Sequence, residues 1–542
     1  MKKYLIYIAA LGMLASCSGE MDYSETNTYE KKDIQAEFDY VGGIIATIYR
    51  TIDYDYGQNY SGAMLASATD ESEYAVTGNT IENYYNGAWS PTTPMKHVWT
   101  NSYQGITYCN LFLDQFTGLT FDEYDITDGY DNEMHRYNNY QYEARWARAY
   151  FYFQLVRHYG GVPLVTKYIT PEESNTLSRN TSDEVFDFII SECNAIQDSI
   201  IEEPTFDVAN ETGRVGKLGV MALKAEAALY KASPLFNPND DKARWKAAAQ
   251  AQQELLDSAD VVGMHWLCDY EDLWATDNYW GNGVYELIFG RRVGDISTPE
   301  GYNFPAGIEG GKGGNCPTQT LVEAYEEGDT RKDLTIAKNG DTKWPNSNSS
   351  ALETFYGGKN GQPLSGGTPT GYYLKKLCHG DISLASNSKK KTDTHTYVIY
   401  HLSTFWLNYA EAVFKCTGSP YEKGEFKYTP AEAVNKIRNK HGNLPDLPTT
   451  LTNDEFWEKY KNERFVELAF EGHRYYDVRR WKEADKHFRS IKELKLTRDE
   501  ATGEITSTVQ TVSRQWDDKM YLAPISQADR QKAPNLSQNH GW

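Results

Sequence analysis

The chain has 542 residues, of which 40% are apolar and 24% are charged, so it can bury a large core and is not disordered over most of its length. Lys and Arg number 54 against 76 Asp and Glu, which gives a formal net charge of −22. A surface this acidic repels phosphate backbones, so we expect no nucleic-acid partner. Tyr is frequent, with 41 residues, and packing between helices explains most of them.

The N-terminus has the pattern of a bacterial lipoprotein signal. Basic residues precede an apolar run over residues 4–14, which is shorter than the roughly 20 apolar residues of a membrane span. Small residues then lead to Cys17, and this arrangement resembles a lipobox. We therefore predict a signal peptide over residues 1–16, a lipid on Cys17, and a polar, lipidated tether over residues 17–35. An ordinary signal peptide with an incidental Cys is the alternative.

After the tether, apolar residues recur at helical spacing in a series of segments. A Gly pair follows Tyr159 and Ser233-Pro234 follows another segment, and both are typical helix ends. Pairs of helices suggest tetratricopeptide-like units, although no constant repeat length can be found. The sequence thus predicts a mainly α fold for residues 36–542. The predicted helices are 98–116, 142–159, 185–196, 218–230, 243–256, 405–414, 430–440 and 454–470.

The stretch at about residues 269–400 differs from the helical remainder. It is rich in Gly, Asn, Thr and Tyr, with a dense run of Gly between residues 301 and 314. An insertion of this length without helical periodicity is usually functional or disordered, and its aromatic residues argue against disorder. We therefore predict a loop-rich, mixed subdomain packed on the helical scaffold.

No catalytic or cofactor motif stands out in the sequence. The H-E-x-x-H and G-x-S-x-G motifs are absent, and Gly311-Lys312 lacks the flanking residues of a phosphate loop. Acidic residues around Gly129 could supply oxygen ligands to Ca²⁺, but their spacing is not that of an EF-hand, which favours a solvated loop. These residues are Asp125, Asp128, Asp131 and Glu133. We expect no metal and no cofactor.

A charged segment over residues 462–481 admits two interpretations. Acids and arginines alternate there with bulky apolar side chains. Glu463, Glu467, Arg474 and Asp477 could form an active site, or they could belong to a partly buried network in which Arg forks clamp carboxylates. A neighbouring Trp and a Tyr pair indicate packing around the charges, which favours the structural interpretation.

The same segment resembles the C-terminal signature of the SusD/RagB family of Bacteroidetes outer-membrane lipoproteins. Other stretches are similar to further blocks of that family and follow in the same order along the chain. These stretches are residues 143–165, 213–237, 407–412 and 521–539. With the lipobox, the resemblance covers nearly the whole chain.

The resemblance implies a tetratricopeptide-type helical scaffold that carries a loop-rich, mixed subdomain, and it implies no enzyme activity. It also implies a lipoprotein of the outer membrane that faces the cell surface and captures oligo- or polysaccharide. Its partner would be a TonB-dependent, SusC-like transporter, to which it delivers the glycan. The alternative function is a tetratricopeptide-type protein-interaction scaffold without its own glycan ligand, and a glycosidase is a third option.

In this family, loops form the ligand surface, and the fold would bring loops that are distant in sequence to one exposed face. Sugar rings pack their C–H faces on aromatic rings, and their hydroxyls need amides and carboxylates. Loops near residues 69–89 and 280–319 supply both. The net charge favours a neutral glycan unless a basic patch such as Lys375-Lys376 intervenes. The candidate ligand-binding residues are Asp70, Tyr74, Asn79, Trp89, Trp280, Tyr302 and Cys316.

Overall fold

A computed structural model describes residues 30–202, 213–264, 267–274, 286–342, 344–345 and 350–542. The predicted signal peptide, the lipidation site Cys17, most of the tether and the candidate residue Trp280 lie outside the described residues. Within the described part, no helix is both long enough and apolar enough to cross a membrane.

The fold is mainly α, as the sequence predicts, with short strands between the helices. The helices are α1 Lys31–Gln35, α2 Phe38–Thr51, α3 His97–Gln115, α4 Tyr130–Tyr159, α5 Pro171–Ser174, α6 Ser182–Ile196, α7 Lys217–Ala232, α8 Lys242–Val261, α9 Thr298–Asn303, α10 Gln319–Ala324, α11 Arg331–Thr335, α12 Leu402–Thr417, α13 Pro430–Lys440, α14 Asn453–Glu467, α15 His473–Arg480, α16 Ala484–Phe488 and α17 Gln527–Lys532. The strands are β1 Ser72–Tyr74, β2 Leu287–Ile296, β3 Asn315–Pro317, β4 Ile336–Lys338, β5 Tyr372–Leu374, β6 Asp393–His401, β7 Ser490–Arg498 and β8 Ile505–Ser513.

The long helices form a series in which each packs on the next, in the order α3, α4, α6, α7, α8, α12 and α13. Buried aromatic and small residues of α4 and α7 fill the spaces between neighbours, and the indole N–H of Trp146 donates to the carbonyl oxygen of Gly219 at 3.1 Å. Capping boxes at Thr181, Thr429 and Thr452 begin three of the helices. This series of packed helices agrees with the helix pairs that the sequence analysis predicts.

Several predicted helix boundaries are wrong. The helix predicted over residues 243–256 continues to Val261, and the helix predicted over residues 405–414 spans Leu402–Thr417. The helix that ends at Tyr159 begins at Tyr130 rather than at residue 142. Tyr130, Met134, Tyr137 and Tyr140 form a stripe at helical spacing that packs on the core, and the prediction overlooked it among the polar residues between them. The helix predicted to reach residue 470 ends at Glu467. Phe470 has a φ of +64°, a left-handed conformation that an α-helix cannot contain, so the helix ends before it. Its ring is buried in the core.

Short antiparallel strand pairs dominate the region between α8 and α12. β2 pairs with β6, and β4 pairs with β5, while β7 and β8 form a hairpin near the C-terminus. A second apolar cluster lies beneath these strands and includes Tyr56, Leu321 and Phe465. Chain segments from both ends of the sequence therefore meet in one core under the strand-containing region.

Candidate functional site

Two loop regions that the sequence analysis places at one face do lie together. β1 pairs antiparallel with β3, with Tyr74 opposite Asn315. The buried Asn315 amide joins the two regions: its Oδ1 accepts from the backbone N–H of Met64 and from Ser67 Oγ, both at 2.8 Å, and its Nδ2 donates to the Gly62 carbonyl oxygen at 3.1 Å. A saturated amide of this kind fixes the relative position of both loops.

Tyr302 lies above this junction at the C-terminal end of α9. Its ring is half-buried, and the exposed Lys312 places Nζ 4.6 Å from the ring centroid. Gly62 has a φ of +108°, and a Cβ there would lie 2.2 Å from the Tyr74 hydroxyl and 2.8 Å from the Tyr302 ring. Only Gly therefore allows the backbone to approach both rings. We name the surface formed by Ser61, Gly62, Tyr74, Tyr302 and Lys312 the Tyr302 face.

The Tyr302 face contains polar groups at its edge. The Tyr74 hydroxyl donates to the Ser61 carbonyl oxygen at 3.2 Å, and burial raises the pKa of Tyr74 to about 12, so the hydroxyl stays protonated near neutral pH. The half-buried Asn79 is an N-cap: its Oδ1 accepts from the Ile81 N–H at 2.9 Å, and its Nδ2 donates to the Tyr60 carbonyl oxygen at 2.8 Å. Its amide is thus engaged in local structure.

Four candidate residues are buried: Tyr74, which is 6% exposed beneath Tyr302, and three whose side chains are held in the interior. Asp70 is 2% exposed, and its two carboxylate oxygens accept from Arg474 at 2.8 and 2.7 Å. Trp89 is 3% exposed and lies edge to face with Tyr84 and Trp542. Cys316 is fully buried, and its thiol lies 3.2 Å from the Gly313 carbonyl oxygen. These side chains stabilise the loops, which corrects their assignment as ligand contacts.

The charged segment near the C-terminus forms a buried ion-pair network, as the favoured interpretation predicts. Arg331 donates to Glu463 at 2.6 Å and to Glu467 at 2.8 Å, and all three side chains are buried. Asp477 accepts from Arg464 at 2.6 Å and from Arg480 at 2.9 Å. Because each carboxylate is held by a guanidinium, none is free to act as a general acid or base at an accessible surface.

The pKa values of these acids follow from their partners. Burial opposes ionisation of Glu467, but His441 and Arg331 outweigh it and lower its pKa to about 2. Burial likewise opposes ionisation of Asp477, and Arg464 and Arg480 lower its pKa to about 2. Both acids are therefore ionised near neutral pH, which is the behaviour of structural anions.

The predicted basic patch is not formed. Lys376 is fully buried, and its ammonium contacts Glu471 at 2.6 Å and the Tyr270 hydroxyl at 2.7 Å. Lys375 instead donates to the Asp333 carbonyl oxygen at 2.9 Å. The exposed cation Lys312 lies over the Tyr302 ring, and the sequence analysis considered it only as part of a phosphate loop.

Within the described ranges, one cluster brings metal-ligating atoms together. Glu300, His379 and His395 are buried, and one ligand atom of each lies within 4.8 Å of the others. The two imidazole rings stack at 3.9 Å between centroids with an interplanar angle of 8°. Imidazole binds a metal in its ring plane, and two nearly parallel planes do not converge on one ion. The cluster as built does not fit a metal centre.

Three recesses lie away from the Tyr302 face. A groove of about 460 Å³ contains the aromatic residues Trp99, Tyr103 and Tyr168, the last 48% exposed. A cleft of about 540 Å³ lies between α2, α4 and β2, and a polar cavity of about 110 Å³ lies beneath Tyr400. The aromatic groove is the second surface at which a sugar ring could stack, so it serves as the comparison site below.

Two family models match the chain. One, described as the SusD family, matches residues 237–542; the other, described as starch-binding and associating with the outer membrane, matches residues 22–209. The second description points to association with the outer membrane. A SusD-like protein of Formosa agariphila is 23% identical over 532 residues, which cover 89% of this chain and 91% of the relative.

Solved structures share the fold. A SusD-like protein of Bacteroides fragilis is 23% identical, with a TM-score of 0.75 over 94% of this chain and 98% of its own. A SusD-like carbohydrate-binding protein of the same species is 20% identical, with a TM-score of 0.74 over 93% and 100%. A laminarin-binding SusD-like protein is 19% identical, with a TM-score of 0.64 over 93% and 99%. Because the SusD family model alone spans more than half of the sequence, the chain belongs to the SusD family.

Proposed function

We propose that this protein is a cell-surface glycan-binding lipoprotein that captures oligo- or polysaccharide and delivers it to a TonB-dependent, SusC-like outer-membrane transporter. In this proposal residues 1–16 are the signal peptide, Cys17 carries the lipid, and residues 17–35 are the tether. The binding unit then spans residues 36–542, with its loop-rich subdomain at about 269–400. The protein has no catalytic role.

The observation that carries the proposal is the Tyr302 face. It combines the half-buried Tyr302 ring with the Lys312 ammonium above it and the Tyr74 hydroxyl, which is hydrogen-bonded to the Ser61 carbonyl oxygen. Asn315 connects the loops that carry these groups. A flat ring with donors at its rim suits a sugar, whose C–H face is apolar and whose edge carries hydroxyls. Among the candidates, Tyr302 is the proposed stacking contact, while Tyr74 and Asn79, whose polar groups are already hydrogen-bonded, support the edge of the proposed site.

Two comparisons support the choice of ligand class. One structural neighbour is described as carbohydrate-binding and another as laminarin-binding, and both share this fold over most of the chain. We therefore propose a polysaccharide ligand and begin with neutral glucans. The Tyr302 face is not a deep recess, so we expect micromolar to millimolar affinity, or about −8 to −4 kcal/mol, that increases with chain length.

Calorimetric titration of a neutral oligosaccharide series against Tyr302→Ala and Tyr168→Ala tests the site. Tyr168 is the matched control, because it is an exposed Tyr in the separate aromatic groove. We expect Tyr302→Ala to weaken binding at least about tenfold, since aromatic anchors dominate such interfaces, and Tyr168→Ala to leave it unchanged. The reverse pattern would move the site to the groove.

Affinity electrophoresis on a polysaccharide panel tests the ligand class. Retardation of the protein by at least one polysaccharide supports the proposal. Failure to bind any polysaccharide, with the fold intact, would favour the protein-interaction scaffold. Release of reducing sugar from a retained polysaccharide over time would identify a glycosidase instead. Co-purification with a SusC-like transporter from solubilised outer membranes tests the delivery step.

A further inference from the structure

A buried cluster anchors α9, the short helix that carries Tyr302. Glu300 lies two residues before Tyr302, and its Oε1 accepts a hydrogen bond from the backbone N–H of His379 at 2.7 Å. The same oxygen lies 3.0 Å from Nε2 of His395 on β6. The His379 ring stacks on the His395 ring at 3.9 Å. The Glu300 carboxylate on α9 is therefore held both by the loop that carries His379 and by β6, which carries His395.

The hydrogen bonds assign the protons of the two rings. His395 faces acceptors at both nitrogens, because Nδ1 lies 2.8 Å from the Asp393 carbonyl oxygen and Nε2 faces Glu300. Both nitrogens are therefore donors, and the ring is an imidazolium. His379 donates from Nε2 to the Trp274 carbonyl oxygen at 2.7 Å, while its buried Nδ1 has no hydrogen-bond partner. His379 is thus neutral, and the stack holds one positive charge.

The surroundings favour this distribution. Burial lowers the pKa of His395, but its hydrogen bond and attraction to Glu300 outweigh burial, so the pKa is raised overall. Burial, and then the charge of His395, lower the pKa of His379. Two identical imidazole rings thus differ in protonation because His395 faces Glu300 and His379 faces a carbonyl oxygen at one nitrogen only.

We propose that this stack is a proton-operated clamp on α9, in which a second proton, taken up at Nδ1 of His379, loosens α9 and weakens ligand binding at the Tyr302 face. The link to ligand binding rests on the proposed function. A second proton would place two imidazolium rings face to face at the 3.9 Å stacking distance. Like charges at this separation in a buried site repel strongly.

Glu300 and Asp393 attract a proton on His379 and offset part of that repulsion, but burial and the charge of His395 outweigh them, so the pKa of His379 stays lowered. The carboxylate of Asp393 lies 3.9 Å from Nδ1 of His379, but it already contacts the Lys390 ammonium at 2.6 Å. Lys390 also pairs with Asp381. The Tyr56 ring lies 5.9 Å from that of His395, and burial raises the pKa values of Tyr56 and of the adjacent Cys378, so both are neutral. Glu300 accepts from His395 through Oε1, and its buried Oε2 has no hydrogen-bond partner.

The direction of the pH effect follows from the pKa shifts. The pKa of His379 is lower in the folded protein than its ordinary value of 6.5, so the unfolded or locally opened state takes up the proton first as the pH falls through 6.5. The contribution of His379 to the clamp is therefore complete above pH 6.5 and weakens below it. His395 acts oppositely: its stabilisation is complete below pH 6.5 and is lost only as the pH rises through its raised folded pKa.

Hydrogen exchange of the peptide covering residues 298–303, corrected for intrinsic exchange rates, tests the clamp on the full chain. A local readout is needed because burial also lowers the pKa values of His97, His158 and His473. We expect protection in the wild type to fall at least tenfold from pH 7.5 to 5.5. His379→Gln should remove this dependence, since its amide can still donate to the Trp274 carbonyl oxygen. His540→Gln, at an exposed His, is the control and should behave as wild type.

Equal protection at both pH values in the wild type would overturn the proposal without any variant, as would an unchanged pH dependence in a folded His379→Gln protein. Protection that rises with added Zn²⁺ in the wild type but not in His379→Gln would also overturn it, in favour of a metal ion. Glycan affinity measured in parallel should fall over the same pH range only when His379 is present. Absence of binding already at pH 7.5 would contradict the proposed function, while the exchange experiment would still test the clamp.

Discussion

Replacing Asp70 should lower the free energy of unfolding rather than remove a ligand contact. The side chains of Arg474 and Asp70 are 6% and 3% exposed and form a bidentate pair. Breaking one partner of a buried pair costs about 3–5 kcal/mol, because the other charge stays buried and uncompensated. Nδ1 of His487 lies 2.9 Å from the Arg474 guanidinium and remains as its partner in the variant. We therefore expect the free energy of unfolding to fall by about 3 kcal/mol, the lower end of this range.

Urea denaturation of Asp70→Ala, followed by circular dichroism, measures this loss. As a control, Glu425→Ala removes a pair with Lys246 in which the side chains are 53% and 49% exposed, and it should cost under about 1 kcal/mol. The double variant Asp70→Leu and Arg474→Met should recover most of the loss, because it leaves no unpaired charge. Wild-type stability combined with lost glycan binding in Asp70→Ala would refute the reasoning and return Asp70 to the ligand surface.

Two further predictions concern the anchor and a buried acid. Cys17→Ala should release the protein from the outer membrane without unfolding it, and fractionation that still finds it firmly bound would contradict the predicted lipid. Burial raises the pKa of Glu71 to about 8, so the folded protein keeps a proton that the unfolded chain loses near 4.5. Stability should therefore fall as the pH rises from 4.5 to about 8, and Glu71→Gln should reduce that slope in denaturation curves measured across this range.

The helical scaffold could be predicted because its information is local. Apolar spacing, Gly pairs and capping residues gave most helix ends within a few residues, and α13 over Pro430–Lys440 coincides with its prediction. The start of α4 was missed although Tyr130, Met134, Tyr137 and Tyr140 recur at helical spacing, because the Asp, Asn and Glu residues around them resemble the acidic loop that precedes the helix. That the loops near residues 74 and 316 reach one face was expected from family resemblance rather than from residue patterns, and their pairing as strands was not predicted.

Burial of individual side chains could not be predicted, since it depends on partners far away in sequence. Asp70 is paired with Arg474 across 404 positions, and Arg331 reaches Glu463 across 132. No local pattern distinguishes an Asp that meets an Arg in the core from one that meets a sugar. The stack of His379 on His395 was missed for the same reason, although the close succession of His, Asp and His over residues 379–395 is a signal that could have drawn attention to it.

The pair between Asp70 and Arg474 also determines how the chain can be divided. The two family models match residues 22–209 and 237–542 separately, which invites expression of the two parts as independent fragments. Yet Glu71 accepts the backbone N–H of Phe470 at 3.1 Å, Arg514 donates to the Ser72 carbonyl oxygen, and β1 finds its strand partner β3 in the other part. Each fragment alone would expose half of a charge pair and an unpaired strand edge. The two parts are therefore complementary halves of one folding unit, and their co-expression should succeed where single expression yields aggregates.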